Sequence, residues 1–320
     1  MEIEIEFRKA IELIGESKNI YIVSHVNPDG DAIGSSFAMY YVVKNMGKDV
    51  NVIMPKCADK FNFLGDVLGS KDYVKETEYD LLICVDASDL ERLAISPEDY
   101  YKAKNILVID HHIKRVIEAD VKVLDDNAPA TCEIIYDMLK NQNIDIDKDI
   151  AKYLYLGLLT DTGSFNYQRT TSKTYRAAAE MLDKGIDFAT ICKKVNDTMK
   201  VNKLKLIGLA VNKMEKYLSG KVYYTQIEWK EINELGVTEE EASDGITNYF
   251  RMIDGVEVAI YVRGLPDGTY KISMRSNGDI DISKIAMFFN GGGHIRAAGF
   301  NVENIEEIKE ELIKLIGDEL

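Results

Sequence analysis

NIYIVSHVNPDGDAIGSS, residues 19–36, changes character twice within a few turns of chain. NIYIVS is a short apolar run rich in β-branched and aromatic residues, the composition of a buried strand. HVNPDGD follows, punctuated by Pro28 and Gly30, and reads as a loop. Ala32, Gly34, Ser35 and Ser36 then open a helix that runs to about Met46, where Gly47 stops it. Strand, polar loop and helix, in that order, begin an alternating α/β pattern.

The alternation continues outward. A helix over 4–17 precedes the strand, with Ile5, Ile11, Leu13 and Ile14 among charges. Further strands are expected at DVNVIM (49–54), DLLICV (80–85), NILVI (105–109) and VKVLDD (121–126), and helices at 131–142, 149–160 and 172–184. Strands alternating with helices predict a mainly parallel α/β sheet with flanking helices. Composition shifts near residue 190. Between Lys193 and Lys216 stand seven lysines against Asp197 and Glu215, with Leu204, Ile207, Leu209 and Val211 among them. This predicts one long connecting helix whose lysines form a solvated face. Beyond it, strands at 221–229, 256–265 and 269–276, a Pro266-Asp267-Gly268 hairpin, and helices at 238–250, 281–289 and 305–316 predict a smaller α+β domain. The expected division is a first domain over 1–190, the connecting helix over 191–216, and a second domain over 217–320.

Composition narrows the class. The 320 residues suit two domains, and 46% apolar with 29% charged residues can bury a sizeable core. The net charge of −15 argues against tracking long duplex nucleic acid, which needs basic surface. A small anion or short oligonucleotide remains open, given local cations. No run of 18 apolar residues suggests a spanning helix, and the acidic start MEIEIEFRKA suits neither a signal nor a transit peptide. Cys57, Cys84, Cys132 and Cys192 are far apart, giving no zinc ribbon and no disulfide framework. Cys84, inside LLICV, reads as a buried apolar filler. The expectation is a cytoplasmic protein without membrane contact.

The four histidines are more telling: His25, His111, His112 and His294 each stand in a polar cluster. Three strands end at residues able to ligate a metal: His25, Asp86, and Asp110-His111-His112. Ligands bind outside the carboxyl ends of strands in open α/β sheets, so these groups can converge. Asp29 and Asp31 flank Gly30 in the loop after His25, and Asp161 follows the helix AKYLYLGLLT. One such aspartate is ordinarily a cap or loop residue. Five carboxylates with three imidazoles are different, because like charges share a small site only when cations neutralise them. Mixed carboxylate and imidazole donors suit Mn²⁺, Fe²⁺, Co²⁺ or Zn²⁺ better than Ca²⁺. There are more donors than one ion needs, which suggests two ions bridged by a shared aspartate, the clamp used in phosphoryl transfer.

SHVNPDGDAIGSS, VDASD, IDHH and TDTGSF, in that order, resemble the four motifs of the DHH phosphoesterase superfamily. GGGHIRAAGF (291–300) resembles the signature of its DHHA1 substrate domain. The likeness spans essentially the whole chain, and the length without further domains is closest to the nanoRNase/pAp phosphatase branch. That resemblance implies a metal-dependent phosphodiesterase that degrades very short oligoribonucleotides to mononucleotides and removes the 3′-phosphate of 3′-phosphoadenosine 5′-phosphate. It implies two divalent ions, Mn²⁺ foremost with Mg²⁺ or Co²⁺ as substitutes. His25, Asp29 and Asp86 would hold one ion; Asp31, Asp86, His111 and Asp161 the other. Asp110 would orient an imidazole, and His112 would face the phosphate as a catalytic residue beside Asp86. A homodimer is implied by analogy.

In the second domain, Gly291, Gly292 and Gly293 follow an amphipathic helix and free the backbone to approach a ligand or form an anion nest. The plain reading is a helix C-cap, which needs only one glycine. Arg275, Ser276 and Asn277 end the strand TYKISM and supply a planar cation and two hydrogen-bonding side chains, expected to contact the substrate. Beside the family pattern, Arg275 and His294 would bind the substrate's phosphate and base end, so that the substrate bridges the domains and its length is measured. Four other functions share part of this pattern. A family II inorganic pyrophosphatase should carry a Ser-Arg-Lys-Lys signature, which the chain lacks. A RecJ-like exonuclease is usually longer and carries a nucleic-acid-binding module. A phosphodiesterase for cyclic dinucleotides, or for linear pApA or pGpG, shares the catalytic pair and differs only in pocket shape. A metal-stabilised regulator would have no need of two open metal positions.

Overall fold

The structure, a computed structural model, describes residues 2–55, 57–65, 78–87, 89–112, 117–243, 245–278 and 280–320. They fall into two units, Met1–Thr198 and Met199–Leu320.

The first unit runs α1 (Glu2–Glu16), β1 (Asn19–Val23), α2 (Gly30–Asn45), β2 (Asp49–Ile53), β3 (Tyr79–Val85), α3 (Pro97–Tyr100), β4 (Ala103–Asp110), β5 (Val121–Leu124), α4 (Thr131–Asn141), α5 (Lys148–Asp161), α6 (Ser172–Asp183) and α7 (Phe188–Asn196). The five strands are all parallel, in the order β2-β1-β3-β4-β5. The central strands are apolar throughout because both faces are covered. Ile22, Ile83 and Ile109 pack into the core shared with α2, α4 and α5, while Tyr21, Leu82, Cys84 and Val108 fill the opposite face. Chain order reverses between β1 and β3. Their carboxyl ends therefore form the switch point at which ligands bind in sheets of this order.

The helices over this sheet sit unusually close. A Cβ on Gly34 of α2 would fall 2.6 Å from the Tyr153 carbonyl oxygen of α5. One on Gly30 would fall 2.3 Å from the Thr160 side chain. Glycine at these two positions brings the start of α2 against the end of α5.

The second unit runs α8 (Val201–Asn212), β6 (Glu215–Tyr217), β7 (Val222–Ile227), α9 (Trp229–Glu234), α10 (Glu239–Ser243), α11 (Ile246–Arg251), β8 (Val258–Gly264), β9 (Tyr270–Ser276), α12 (Ile282–Phe288), β10 (Gly292–His294), β11 (Ala297–Val302) and α13 (Lys309–Glu319). Its sheet has the order β10-β11-β9-β8-β7-β6, antiparallel except for the β7–β8 pair. The expected hairpin joins β8 to β9, with the Gly268 amide donating to Leu265 O at 3.0 Å. One sheet face, with Ile260, Val262, Ile272, Met274 and Phe300, packs on α12 and α13. On the other, Ala259 and Tyr261 pack beneath α8 to α11.

The single helix expected over 191–216 is two, α7 and α8, and the units divide in the break between them. The cause is local. Thr198 Oγ1 donates back to Lys193 O at 2.9 Å, and Asn196 Nδ2 donates to Ser164 Oγ at 2.9 Å. Side chains of this kind compete with the helix for backbone partners. Lys200 is then extended, at φ −70° and ψ 142°. Nor are all the lysines solvated: Lys203 is buried, its Nζ donating to Glu241 O. The helix expected over 238–250 is likewise divided into α10 and α11, with residue 244 outside the described residues.

Candidate functional site

At the switch point each ligand-type side chain is fixed by its own strand end or helix terminus. His25 follows β1 and is buried. The segment 92–94 straps it in place through Val26 N donating to Arg92 O and Ala94 N donating to Ser24 O, both 2.8 Å. Asp29 caps α2, its Oδ1 accepting from the amides of Asp31 at 3.0 Å and Ala32 at 3.1 Å. Asp31 lies fully buried in the first turn of α2. Its Oδ2 accepts from the Thr131 amide at 2.6 Å and its Oδ1 from the Cys132 amide at 3.1 Å. Asp31 thus caps α4, whose own N-cap, Ala130, has no side-chain oxygen to do so.

Asp86 leaves β3 in the left-handed region at φ 56°, a conformation aspartate tolerates better than most residues. His111 is turned by its Nδ1, 3.2 Å from Ala128 O, so that Nε2 faces inward. His112 Nδ1 stands 2.8 Å from Asp110 Oδ1. Asp161 ends α5.

The centre of the arrangement is Asp86. Its Oδ2 lies 3.5 Å from His25 Nε2, and its Oδ1 lies 3.6 Å from His111 Nε2. His25 Nε2 is 3.9 Å from Asp29 Oδ1, and His111 Nε2 is 3.3 Å from Asp161 Oδ2. Three donor groups have their atoms within 4.8 Å of one another: His25-Asp29-Asp86, Asp31-His111-Asp161 and Asp86-His111-His112.

The electrostatics point the same way. Burial pushes the Asp86 carboxyl well above the usual range, and the charges of Asp31, Asp29, Asp161 and Asp110 add to it. Burial raises Asp161 to about 7. It raises Asp31 to about 6, outrunning the hydrogen bonds from Cys132 and Thr131. Burial lowers His25 and His111, so both are neutral and offer a lone pair. The hydrogen bond to Asp110 raises His112 instead. Crowded carboxylates that resist ionising together, beside neutral imidazoles, are what a divalent cation would relieve. The donors fit the group that the sequence implies.

The structure therefore brings together His25, Asp29, Asp31, Asp86, Asp110, His111, His112 and Asp161. Two residues at this site escaped the sequence reading. Thr131 Oγ1 donates to Asp86 Oδ1 at 3.1 Å, and the charge of Arg92 disfavours protonation of both His25 and His112. Thr131 opens α4 after NAPA, and Arg92 sits six positions after Asp86. Neither spacing has a recognisable chemical signature.

In the second unit the outcome is mixed. Arg275 is half-buried with Nη1 donating to Met274 O at 3.0 Å, and His294 is exposed on β10. Ser276 and Asn277 have structural duties instead of the substrate contacts expected of them. Ser276 is fully buried with its hydroxyl donating to Ile280 O at 3.0 Å. Asn277 Nδ2 donates to Arg251 O at 2.9 Å and Val256 O at 2.7 Å. Gly292 and Gly293 lie in an edge strand paired with β11, while the Gly291 amide donates back to Ala286 O of α12 at 2.8 Å. A Cβ on Gly291 would fall 2.3 Å from Phe300 Cβ, and one on Gly293 would fall 2.4 Å from Ala297 O. Close strand approach accounts for both. At Gly292 a Cβ would meet nothing within 4 Å, so that backbone is open to a ligand.

Residues 19–158 match the DHH family, N-terminal domain, and residues 220–320 match the DHHA1 domain. The chain belongs to this family of phosphoric ester hydrolases. It is 28% identical to the bifunctional oligoribonuclease and PAP phosphatase NrnA of Thermus thermophilus, across 100% of this chain and 94% of that protein. It is 29% identical to a probable bifunctional oligoribonuclease and PAP phosphatase NrnA of Streptococcus mutans, across 97% of this chain and 99% of that one. Among solved structures, an exopolyphosphatase-related protein from Bacteroides fragilis matches with a TM-score of 0.86 at 26% identity, covering 97% of this chain and 96% of the other. No helix among the described residues is long and apolar enough to cross a membrane.

Proposed function

We propose that this chain hydrolyses very short oligoribonucleotides to mononucleotides and removes the 3′-phosphate of 3′-phosphoadenosine 5′-phosphate, using two divalent ions, Mn²⁺ foremost. The observation that carries the reading is the placement of Asp86, each of whose oxygens faces a different histidine-containing donor group. His25, Asp29 and Asp86 would hold one ion, and Asp31, Asp86, His111 and Asp161 the other. When bound, such ions offset the carboxylate charge and polarise phosphoryl oxygens. The relatives named above, matched over nearly their full lengths, supply the substrate class. A homodimer is part of the same reading.

The chain's own groups divide the remaining work. His112, with Nδ1 bonded to Asp110, carries the proton that a substrate would meet on Nε2. Its raised pKa keeps that proton available to a departing oxygen. Ala128 O and Thr131 fix the orientation of His111 and Asp86. Arg275, Gly292 and His294 bind the part of the substrate remote from the reacting phosphate.

A substrate panel with product analysis tests this. A diribonucleotide, 3′-phosphoadenosine 5′-phosphate, cyclic di-AMP and a 20-mer RNA are each incubated with Mn²⁺ and with chelator. Mononucleotide release from the diribonucleotide and AMP from the bisphosphate, both abolished by chelator, are expected. Turnover of cyclic di-AMP alone would overturn the reading.

A further inference from the structure

Every second residue of β8, β9 and β11 faces the same side of the second unit's sheet, and register aligns them in rungs. Ala259, Arg275 and Ala297 form one rung; Tyr261, Ser273 and Gly299 the next; Arg263, Lys271 and Asn301 the third. Ala259 and Tyr261 lie beneath helices, whereas Lys271, Ser273, Arg275, Ala297 and Gly299 are only partly covered and Asn301 is exposed. The intervening residues of β9, Ile272 and Met274, point into the opposite core. The open part of this face therefore has cations at both ends, with small residues between. From Arg275 to Lys271 is four residues of strand, roughly 13 Å.

The third rung is short of acceptors. Arg263 is buried, and its Nε has no hydrogen-bond partner. Its Nη1 donates to Glu239 O at 3.3 Å and stands 3.8 Å from the Glu239 carboxylate, which is half exposed to solvent. The Tyr261 hydroxyl, also buried, has no partner either. Lys271 lies directly across from Arg263 and is lowered by burial and by that neighbouring cation. Among the described residues no carboxylate pairs with Lys271. Unpartnered buried donors cost stability, and two facing cations repel. One oxyanion would relieve both.

The geometry points to a second phosphate subsite formed by Arg263 and Lys271, with Tyr261 and Asn301 beside it. It takes a phosphodiester of the same oligonucleotide whose other part lies at Arg275 and His294. This inference rests on the proposed oligoribonucleotide activity, and it assigns a place for nucleotides beyond the dinucleotide. Ser273, Gly299 and Ala297, small residues between the two cationic rungs, give the sugar-phosphate chain a path along the sheet face.

The test is equilibrium binding of fluorescently labelled two- and five-nucleotide RNAs to the full chain in chelator, for the wild type, Lys271→Ala and Lys271→Arg. Loss of a charge-assisted contact should weaken five-nucleotide binding about tenfold or more in Lys271→Ala. It should also lower the salt dependence by roughly one phosphate contact. Dinucleotide binding should stay unchanged, and Lys271→Arg should restore the longer RNA. Equal effects on both RNAs, no effect on either, or no binding of the five-nucleotide RNA by the wild type would overturn the subsite. So would competition by inorganic phosphate that depends on Lys271 without any distinction between the two RNAs. The readout is binding, so a wild type that binds but never cleaves RNA would refute the activity and leave the subsite decided on its own.

Discussion

Gly157 stands face to face with Asp31: a Cβ at position 157 would lie 2.4 Å from Asp31 Oδ1 and 2.2 Å from Cys132 Sγ. The buried carboxylate that caps α4 exists only because α5 gives up a side chain at that point. The proposed metal centre is thereby built into the packing of three helices.

Gly157→Ala should therefore damage both fold and site. Overpacking of this kind costs about 1–3 kcal/mol, and displacement of Asp31 should lower the bound metal per chain. Thermal melts and metal analysis of the dialysed protein check this. A variant with wild-type Tm and metal content would show that Asp31 moves freely.

Asp86→Asn should separate activity from stability. Loss of a catalytic electrostatic contact costs about 10²–10³ in rate or more, and Asp86 faces both donor groups. Yet asparagine also tolerates the left-handed backbone and still accepts from Thr131. It removes a buried charge that burial and four other carboxylates disfavour. In chelator the variant should melt above the wild type while showing almost no turnover with Mn²⁺. A lower Tm in chelator would contradict the repulsion argument.

Without metal, stability should rise as pH falls from about 8 to about 6.5. A carboxyl raised in the folded state holds a proton that the unfolded chain has already released. Its penalty is absent at low pH and is complete once pH passes the folded-state value, which is about 7 for Asp161 and about 6 for Asp31. His25 and His111, lowered by burial, act in the opposite sense below about pH 6.5, where the unfolded chain gains protons that they refuse. Mn²⁺ should accordingly raise the Tm more at the alkaline end. Scanning calorimetry with and without the ion would expose a flat or reversed profile.

His112→Ala should lower kcat by about 10²–10⁴ while metal content stays near normal. Asp110→Asn gives the finer test, because the hydrogen bond that His112 donates to Asp110 is what raises its pKa. A protonated His112 loses function as pH rises through its pKa, so weakening that bond should move the alkaline fall in rate to lower pH. Metal loss in proportion to activity would instead make His112 a ligand.

Arg275→Ala and His294→Ala should impair dinucleotide kcat/KM far more than hydrolysis of bis-p-nitrophenyl phosphate, which has no remote nucleoside to position. Equal losses on the two substrates would argue against a positioning role for either residue.

The sequence is most legible where apolar runs end abruptly. NIYIV, LLICV and NILVI deliver His25, Asp86 and Asp110 to one sheet edge, because parallel strands buried on both faces must end where the apolar run ends. The second unit is harder to read. Gly291 and Gly293 resemble a ligand loop in sequence but are required by strand contact with Phe300 and Ala297. Ser276 and Asn277 resemble phosphate contacts but bond to their own backbone surroundings. The break after Asn196 escapes a periodicity argument because lysine and leucine continue on both sides of it, while the side-chain bonds of Asn196 and Thr198 decide the matter. Thr131 and Arg92 reach the site through tertiary placement alone.

The double duty of Asp31 bears on how such an enzyme could decay. A descendant that no longer needed catalysis could replace His112 and lose one partner of the Asp110 carboxylate, but would still need an acceptor at position 31 to finish α4. Among distant copies of this chain, an intact Asp31 would therefore be a poor witness to activity. The histidine at 112 would be the one to ask.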